Sequence, residues 1–151
     1  MKSINEISFN GKKVFIRVDF NVPFNDEGEI TDNSRIVAAL PTIEFVISSG
    51  GACILASHLG RPDGKNPALS LKKIIPELKK LLGKDVIFLE DSIGDHTKEI
   101  CSNLKKGQIA LLENLRFYKE ETKADERFAK QLSGLADIYI NDACWGGTRK
   151  R

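Results

Sequence analysis

Short apolar runs alternate along the chain with longer stretches in which apolar residues recur at helical spacing. The short runs have the length and composition of strands buried in a sheet. They are Val14–Asp19, Ala52–Ser57, Val86–Leu89, Ile109–Glu113 and Ile138–Asn141.

The stretches between these runs place apolar residues on one face of a helix. They cover residues 36–47, 71–82 and 128–135, and a weaker helical pattern spans Asp95–Lys106. Gly83 and Gly107 follow two of these helices as stop signals. Pro41 falls inside the stretch 36–47 and Pro76 inside the stretch 71–82, where each should kink its helix or mark the first turn of a shortened one.

The alternation of strand and helix predicts βαβ units with right-handed crossovers. We therefore expect a three-layer, Rossmann-like α/β fold, in which helices cover both faces of a mostly parallel sheet. One long connection, from Val22 to Asn33, interrupts this pattern. It contains the turn signal Asn25-Asp26-Glu27-Gly28, which predicts a small hairpin or loop.

The first strand has an unusual polar face. Because side chains alternate along a strand, Arg17, Asp19 and Asn21 are predicted to share one face. A buried parallel strand is normally apolar on both faces, so these residues need partners, and a ligand is one candidate. Arg17 is expected to pair with a nearby carboxylate instead of a ligand. Pro23 should end the hydrogen bonding of the strand, because it has no N–H to donate.

Polar residues also follow the other predicted strands, and Arg35 begins the first helix. In open α/β sheets, ligands bind beyond the carboxyl ends of the strands. The residues expected to meet there are Asp19, Asn21, Arg35, His58, Arg61 and Arg116. Guanidinium groups bind phosphate and carboxylate, and Asp or Asn can hold a hydroxyl, so a small, polyanionic, hydroxylated ligand is predicted. Any one arginine could instead be a surface or ion-pair residue, and His58 could be a structural hydrogen-bonding residue.

Composition excludes several classes of protein. The chain has 151 residues and a net charge of +2. Arg149, Lys150 and Arg151 are three of its 23 Lys and Arg residues, so the rest has 20 basic and 21 acidic residues, whereas a typical nucleic-acid binder is more basic. The sequence contains neither a run of membrane-spanning length nor a signal-peptide pattern, so a cytoplasmic protein is expected.

The cysteines and glycines give no sign of a cofactor site. Cys53, Cys101 and Cys144 are widely spaced, and neither histidine pairs with one at a metal-site spacing, so reduced thiols and no bound metal are expected. The glycine fingerprints of phosphate loops and dinucleotide-binding domains are absent from the sequence.

Four motifs of this chain resemble the phosphoglycerate kinase family, in the family's own order. They are Arg17–Pro23, Ser57–Pro62, Glu113–Phe117 and Tyr139–Ala143, within a resemblance that runs from about residue 4 to Ala143. The resemblance implies that residues 1–143 are the N-terminal, 3-phosphoglycerate-binding domain of such a kinase, incomplete at its C-terminal end. Residues 144–151 form a basic tail that does not match the family's pattern.

The same resemblance implies a set of substrate-binding residues. They are Asp19, Phe20, Asn21, Arg35, His58, Leu59, Gly60, Arg61, Arg116 and Arg149. Asp19 and Asn21 would hold the hydroxyl and carboxyl end of the glycerate. Arg61 and Arg116 would hold its 3-phosphate, with Arg149 at the spacing of another phosphate-binding arginine. Arg35, the catalytic residue, would neutralise charge on the moving phosphoryl group.

The resemblance also implies what the chain binds and what it lacks. The intact kinase moves a phosphoryl group between 1,3-bisphosphoglycerate and ADP, and it uses Mg-ATP or Mg-ADP bound in its C-terminal half. This chain is expected to bind 3-phosphoglycerate or 1,3-bisphosphoglycerate, but no cofactor, metal, nucleic acid or membrane. It should not catalyse alone, and surface left uncovered by truncation could drive self-association. The alternatives are a non-catalytic anion-binding or folding module and a dinucleotide-binding domain.

Overall fold

The computed structural model describes residues 9–60, 69–90, 95–115 and 136–141, together with the backbone of residues 149–150. In these ranges the strands form one sheet in the order β3-β4-β2-β1-β5-β6. The strands are β1 (Lys13–Arg17), β2 (Ala52–Ala56), β3 (Ile87–Leu89), β4 (Ile109–Leu112), β5 (Ile138–Asn141) and β6 (Arg149–Lys150). The first five run parallel, as predicted, and β6 pairs antiparallel with β5 at the edge.

Three helices are described, and they lie on the two faces of the sheet. They are α1 (Ser34–Ser48), α2 (Ile75–Leu82), which follows a 3₁₀ turn over Leu71–Ile74, and α3 (Asp95–Ser102). Ile16 of β1 packs in the core beneath α1 and α2, whereas its neighbour Phe15 packs on the other face with Cys101 of α3. The strands β2 and β4, which each have a neighbour on both sides, are buried along their whole length, as expected for a parallel sheet covered on both faces. The three-layer α/β prediction is therefore confirmed.

The first strand is shorter than the sequence predicts. Its pairing ends at Arg17, well before Pro23, so the prediction that Arg17, Asp19 and Asn21 share one strand face is wrong. The reason is local competition for backbone N–H groups. Ser57 Oγ accepts the N–H of Phe20 at 2.9 Å, and Asp19 Oδ1 accepts the N–H of Asn21 at 3.0 Å. The chain therefore leaves the sheet after Arg17, and Asp19 and Asn21 lie in the irregular segment that follows.

The two prolines act differently in α1 and α2. Pro76 lies in the first turn of α2, as one of the two predicted alternatives, and Gly83 ends that helix with a left-handed φ of 66°. Pro41 lies inside α1, which nevertheless continues to Ser48. Because Pro41 has no N–H, the carbonyl of Val37 loses its usual helical partner, and both residues lie on the exposed side of the helix.

The last two helical predictions have different outcomes. The helix α3 ends at Ser102, several residues before Lys106, although Leu104 still packs in the core beneath it. The predicted helix over residues 128–135 lies outside the described residues. Within the described part of the chain, no helix is long and apolar enough to cross a membrane.

The connection before α1 forms the small hairpin that the sequence predicts. Phe24 and Ile30 make an antiparallel bridge, and Gly28 takes a φ of 82° at the turn. Asn25 Oδ1 accepts the N–H groups of residues 27 and 29 and stabilises this turn. The Nζ of Lys73 lies 4.1 Å from the centre of the Phe24 ring, which holds the hairpin near the 3₁₀ turn.

Candidate functional site

The segments that follow β1, β2 and β4 meet at the carboxyl edge of the sheet. Their positions follow from the strand order, since β1 and β4 both pair with β2. The backbone N–H of Leu115 donates to the carbonyl of Ser57 at 2.9 Å, and that of Val18 donates to Ala56 at 2.9 Å. These bonds extend the contact between the three segments past the ends of the strands, where ligands bind in such folds.

Arg35 and Asp19 form the charged part of this edge. Nη1 of Arg35 lies 3.2 Å from both carboxylate oxygens of Asp19 and donates to the carbonyl of Asn21 at 3.0 Å. The two side chains are 53% and 35% exposed, so both can be reached from solvent. An ion pair this exposed contributes only about 0–1 kcal/mol. An anionic ligand can therefore rearrange it at little cost.

Two polar side chains directly before α1 hold the start of the helix that carries Arg35. Oδ1 of Asp32 accepts the N–H of Ser34 at 2.9 Å, and this bond lowers the pKa of the Asp32 carboxyl. Nδ2 of Asn33 donates to Oε2 of Glu77 at 2.8 Å and ties the start of α1 to α2. The helix that presents Arg35 is thus held at its beginning by two polar side chains.

Asn21 links the segment after β1 to the segment after β2. Its Oδ1 accepts the N–H of Gly60 at 3.0 Å, while its own N–H donates to Asp19. Arg35, Asp19, Asn21 and Gly60 therefore form one continuous chain of hydrogen bonds. Here the structure brings together residues that are far apart in the sequence, as the strand-end argument predicts.

Ser57 is a buried member of this edge that the sequence reasoning did not select. Its Oγ accepts the N–H of Phe20 and donates to the carbonyl of His58 at 3.1 Å. The residue has no exposed surface. The available signal was a lone hydroxyl residue at the end of an otherwise apolar run, Ala52–Ser57.

Glu113 and Asn114, which follow β4, were also not selected as site residues. Both are buried. Asn114 bonds to the backbone of Leu59 in the segment after β2, and Glu113 accepts the N–H of Leu71 at the start of the 3₁₀ turn. The signal for them was two consecutive polar residues directly after the apolar run that forms a central strand.

The remaining predicted site residues occupy different environments. Phe20 is fully buried in the core, so its ring faces apolar neighbours, and His58 is half-buried. Leu59 is buried, and its N–H and carbonyl are both held by the side chain of Asn114. Gly60 has a φ of 63°, and a Cβ at this position would lie 2.9 Å from Cδ2 of Leu69.

Three predicted arginines cannot be placed in this geometry. Arg61 and Arg116 lie outside the described residues. The backbone of Arg149 belongs to β6 opposite Asn141, and its side chain lies outside the description.

The described edge combines the long cationic side chain of Arg35 with a carboxylate, an amide and backbone groups. Such a set can hold a small anion through Arg35 and a hydroxyl through Asp19 or Asn21. In the part of the chain that the structure describes, no group of three or more His, Cys, Asp or Glu residues could hold a metal ion.

Comparisons with known proteins identify the family of this chain. A family model described as phosphoglycerate kinase matches residues 4–150. The cytosolic phosphoglycerate kinase 3 of Arabidopsis thaliana is 49% identical over 141 residues, which cover 93% of this chain and 35% of the relative. The chloroplastic phosphoglycerate kinase 2 of the same plant is 49% identical over 140 residues, which cover 93% of this chain and 29% of the relative.

Solved structures give the same result for the fold. The crystal structure of phosphoglycerate kinase from Pyrococcus horikoshii OT3 superimposes with a TM-score of 0.84 at 35% sequence identity. That match covers 95% of this chain and 36% of the other. The chain thus spans about a third of the length of the relatives that it matches.

Proposed function

Because this chain belongs to the phosphoglycerate kinase family, we propose that it supplies the 3-phosphoglycerate site for phosphoryl transfer between 1,3-bisphosphoglycerate and ADP. The observation that supports this most directly is the continuous chain of bonds through Arg35, Asp19, Asn21 and Gly60 at the carboxyl edge. It joins one cation to groups that accept hydroxyl hydrogens, as a phosphorylated hydroxy acid requires.

Charge determines which part of the substrate each side chain meets. The carboxylate of Asp19 would repel the carboxylate and phosphate of glycerate, so it accepts the hydrogen of the substrate hydroxyl. Asn21 helps to hold the hydroxyl and carboxyl end. The guanidinium of Arg35 turns toward the carboxyl end, where the transferred group arrives, and exchanges part of its contact with Asp19 for that anion.

The transfer itself needs no nucleophilic side chain. In the direction that uses ATP, a carboxylate oxygen of 3-phosphoglycerate attacks the γ-phosphorus, an acyl-phosphate P–O bond forms, and the bond to ADP breaks. The attacking carboxylate carries no proton, so a general base is unnecessary. Catalysis of this kind depends on positioning and on cations that neutralise the three equatorial oxygens of the phosphoryl group in transfer. We assign this neutralising role to Arg35.

Other arginines complete the proposed site at the far end of the substrate. Arg61 and Arg116 hold the 3-phosphate, with Arg149 as a third candidate, and His58 helps to hold the substrate. Their guanidinium groups suit this role because a planar fork can donate two parallel hydrogen bonds to phosphate oxygens.

In this proposal, the nucleotide binds to a part of the full-length kinase that lies outside the matched region. The matched relatives are about three times as long as the matched region, so Mg-ATP and Mg-ADP would bind to a part that does not align with this chain. The chain by itself would then hold its substrate without turning it over. We place it in the cytoplasm, which the cytosolic relative supports and the chloroplastic relative leaves open.

Titration calorimetry with 3-phosphoglycerate tests the site. We expect the 151-residue chain to bind the ligand, and Arg61→Ala to weaken binding about tenfold to hundredfold, since one charge-assisted hydrogen bond contributes about 1.5–3 kcal/mol. Lys84→Ala is the matched control, because this exposed residue precedes β3 at the opposite edge of the sheet and its replacement also removes one positive charge.

Two results would contradict the proposal. Equal heats for the parent chain and Arg61→Ala would show that the 3-phosphate does not meet this arginine. ATP-dependent turnover by the purified chain in a coupled assay would show that it does not need a separate nucleotide-binding part.

A further inference from the structure

Two consecutive buried polar residues lie directly behind the proposed site. Glu113 is 8% exposed and Asn114 has no exposed surface, although both follow the apolar strand β4. Burying a carboxylate and an amide costs free energy unless their hydrogen-bonding groups are satisfied. Their partners therefore show what these two residues hold in place.

The side chain of Asn114 joins two backbone segments that flank residues 61–68. Its Nδ2 donates to the carbonyls of Leu59 and Leu69, each at 2.8 Å. Its Oδ1 accepts the N–H of Leu59 at 3.1 Å. The amide thus satisfies both polar groups of Leu59 and holds Leu69 beside it. Only a side chain with an acceptor and two donors can make this set of bonds.

Glu113 holds the next part of the same region. Its Oε1 accepts the N–H of Leu71 at 2.9 Å and the N–H of Asn114 at 2.8 Å. Its Oε2 accepts the hydroxyl hydrogen of Ser70 at 2.7 Å. The carboxylate therefore fixes the start of the 3₁₀ turn and at the same time orients the backbone of Asn114.

This arrangement reaches the proposed substrate site through one further bond. Gly60 follows the residue held by Asn114, and its N–H donates to Oδ1 of Asn21. Asn21 in turn accepts at its carbonyl a hydrogen bond from Arg35. A shift of Leu59 would therefore move Gly60 away from Asn21 and change the direction of the Asn21 side chain.

We propose that Glu113 and Asn114 are positioning residues that hold residues 59–60 in register with Asn21, so that the substrate meets a preformed site. This inference rests on the proposed function, because it concerns the same ligand. Preorganised groups lose less free energy on binding than groups that must first be ordered. The expected consequence is a loss of affinity that is separable from a loss of fold.

The first test is Asn114→Asp, which keeps the size of the side chain. Its second oxygen would face the two carbonyls that the amide nitrogen now contacts, so both bonds are lost. We expect the affinity for 3-phosphoglycerate, measured by calorimetry, to fall on the order of tenfold or more. The amide of Gly60 should also exchange its hydrogen faster in NMR experiments on the ligand-free chain.

Two variants separate positioning from general stability. Thr97→Ala removes a buried polar group from α3, on the opposite face of the sheet, and should lower stability while leaving affinity and Gly60 exchange unchanged. Glu113→Gln should retain most of the affinity, because its Oε1 still accepts two N–H groups and the Ser70 hydroxyl can rotate to accept a hydrogen. Glu113→Ala should lose it.

The outcomes distinguish this inference from the proposed function. Failure of the parent chain to bind 3-phosphoglycerate overturns the proposed function. The rate of hydrogen exchange at the Gly60 amide then decides whether Asn114 and Glu113 position residues 59–60. Unchanged affinity and exchange in folded Asn114→Asp overturn the inference, as does an equal loss of affinity in Thr97→Ala. If Asn114→Asp does not fold, Glu113→Ala replaces it, and unchanged affinity in that variant overturns the inference.

Discussion

Gly60 has a tightly constrained backbone conformation at the proposed site. Its φ of 63° lies in the left-handed region, and a Cβ would approach Leu69 to 2.9 Å. Its N–H is also the donor that joins the loop after β2 to Asn21. Any side chain at this position therefore disturbs the backbone conformation, the packing and the site together.

Comparing Gly60→Ala with Gly83→Ala separates the backbone strain from the effects on packing and on the site. Gly60→Ala should destabilise the chain by about 1–2 kcal/mol from the left-handed backbone alone. Contact with Leu69 should add to this loss, and affinity for 3-phosphoglycerate should fall. Gly83→Ala is the control, because Gly83 has a φ of 66° but a Cβ there would meet nothing within 4 Å. Urea unfolding and calorimetry should show a greater loss of stability for Gly60→Ala and normal binding for Gly83→Ala. Equal losses would contradict the packing argument.

Proline has opposite consequences in the two helices that contain it. In α2, Pro76 lies in the first turn, where its missing N–H would have had no helical partner. In α1, Pro41 lies in the interior and removes the bond to the carbonyl of Val37. The helix persists because its other face is packed in the core through residues such as Ile36 and Ile43.

Replacing the two prolines should therefore give different changes in stability. Pro41→Ala should stabilise the chain by about 1 kcal/mol or more, because the restored bond outweighs the added freedom of the unfolded chain. Pro76→Ala should be neutral or slightly destabilising, since it regains no helical bond. Urea unfolding of both variants measures this. If Pro41→Ala unfolds at a lower urea concentration than the parent chain, the prediction is wrong, and the restored bond does not outweigh the added freedom of the unfolded chain.

At the scale of the whole molecule, the sheet separates two cores that each contain one described cysteine. Cys53 lies in the core beneath α1 and α2, and Cys101 lies in the core beneath α3. Burial raises the pKa of Cys53 from its ordinary value of 9.0 to about 12, and that of Cys101 to about 11. Both thiols are therefore neutral and unreactive in the folded chain near neutral pH, since the thiolate is the nucleophile.

These thiols report the unfolding of each core. In a Cys144→Ser variant, we expect iodoacetamide to modify neither thiol without denaturant and to modify both over the same range of urea concentration. Labelling of one thiol at lower urea would show that the two cores unfold separately.

The raised pKa values of the two thiols also determine how the stability of the folded chain changes with pH. The folded state favours the neutral thiols, so their contribution to stability is complete below pH 9 and decreases as the pH rises towards about 12.

Periodicity and motif content were sufficient to predict much of this protein. Apolar runs and helical spacing predicted the five parallel strands and the three described helices, because burial on two faces of a sheet leaves a local pattern. The motifs beginning at Arg17 and Ser57 indicated the family. Asp19, Asn21 and Arg35 were expected at the carboxyl edge, and the structure joins them there. The roles of Arg61 and Arg116 stay predictions.

Only the tertiary structure decided how the edge is held together. Asn21 meets Gly60 across 39 residues of chain, and Asn114 meets Leu59 across 55. Such bonds exist only once β1, β2 and β4 lie side by side, so no local pattern encodes them. Two other bonds end β1 at Arg17, because the side chains of Ser57 and Asp19 accept the N–H groups of Phe20 and Asn21, which a longer strand would use. The sequence by itself determined which residues face the core and which family's motifs are present, while the strand order determined which polar groups satisfy one another.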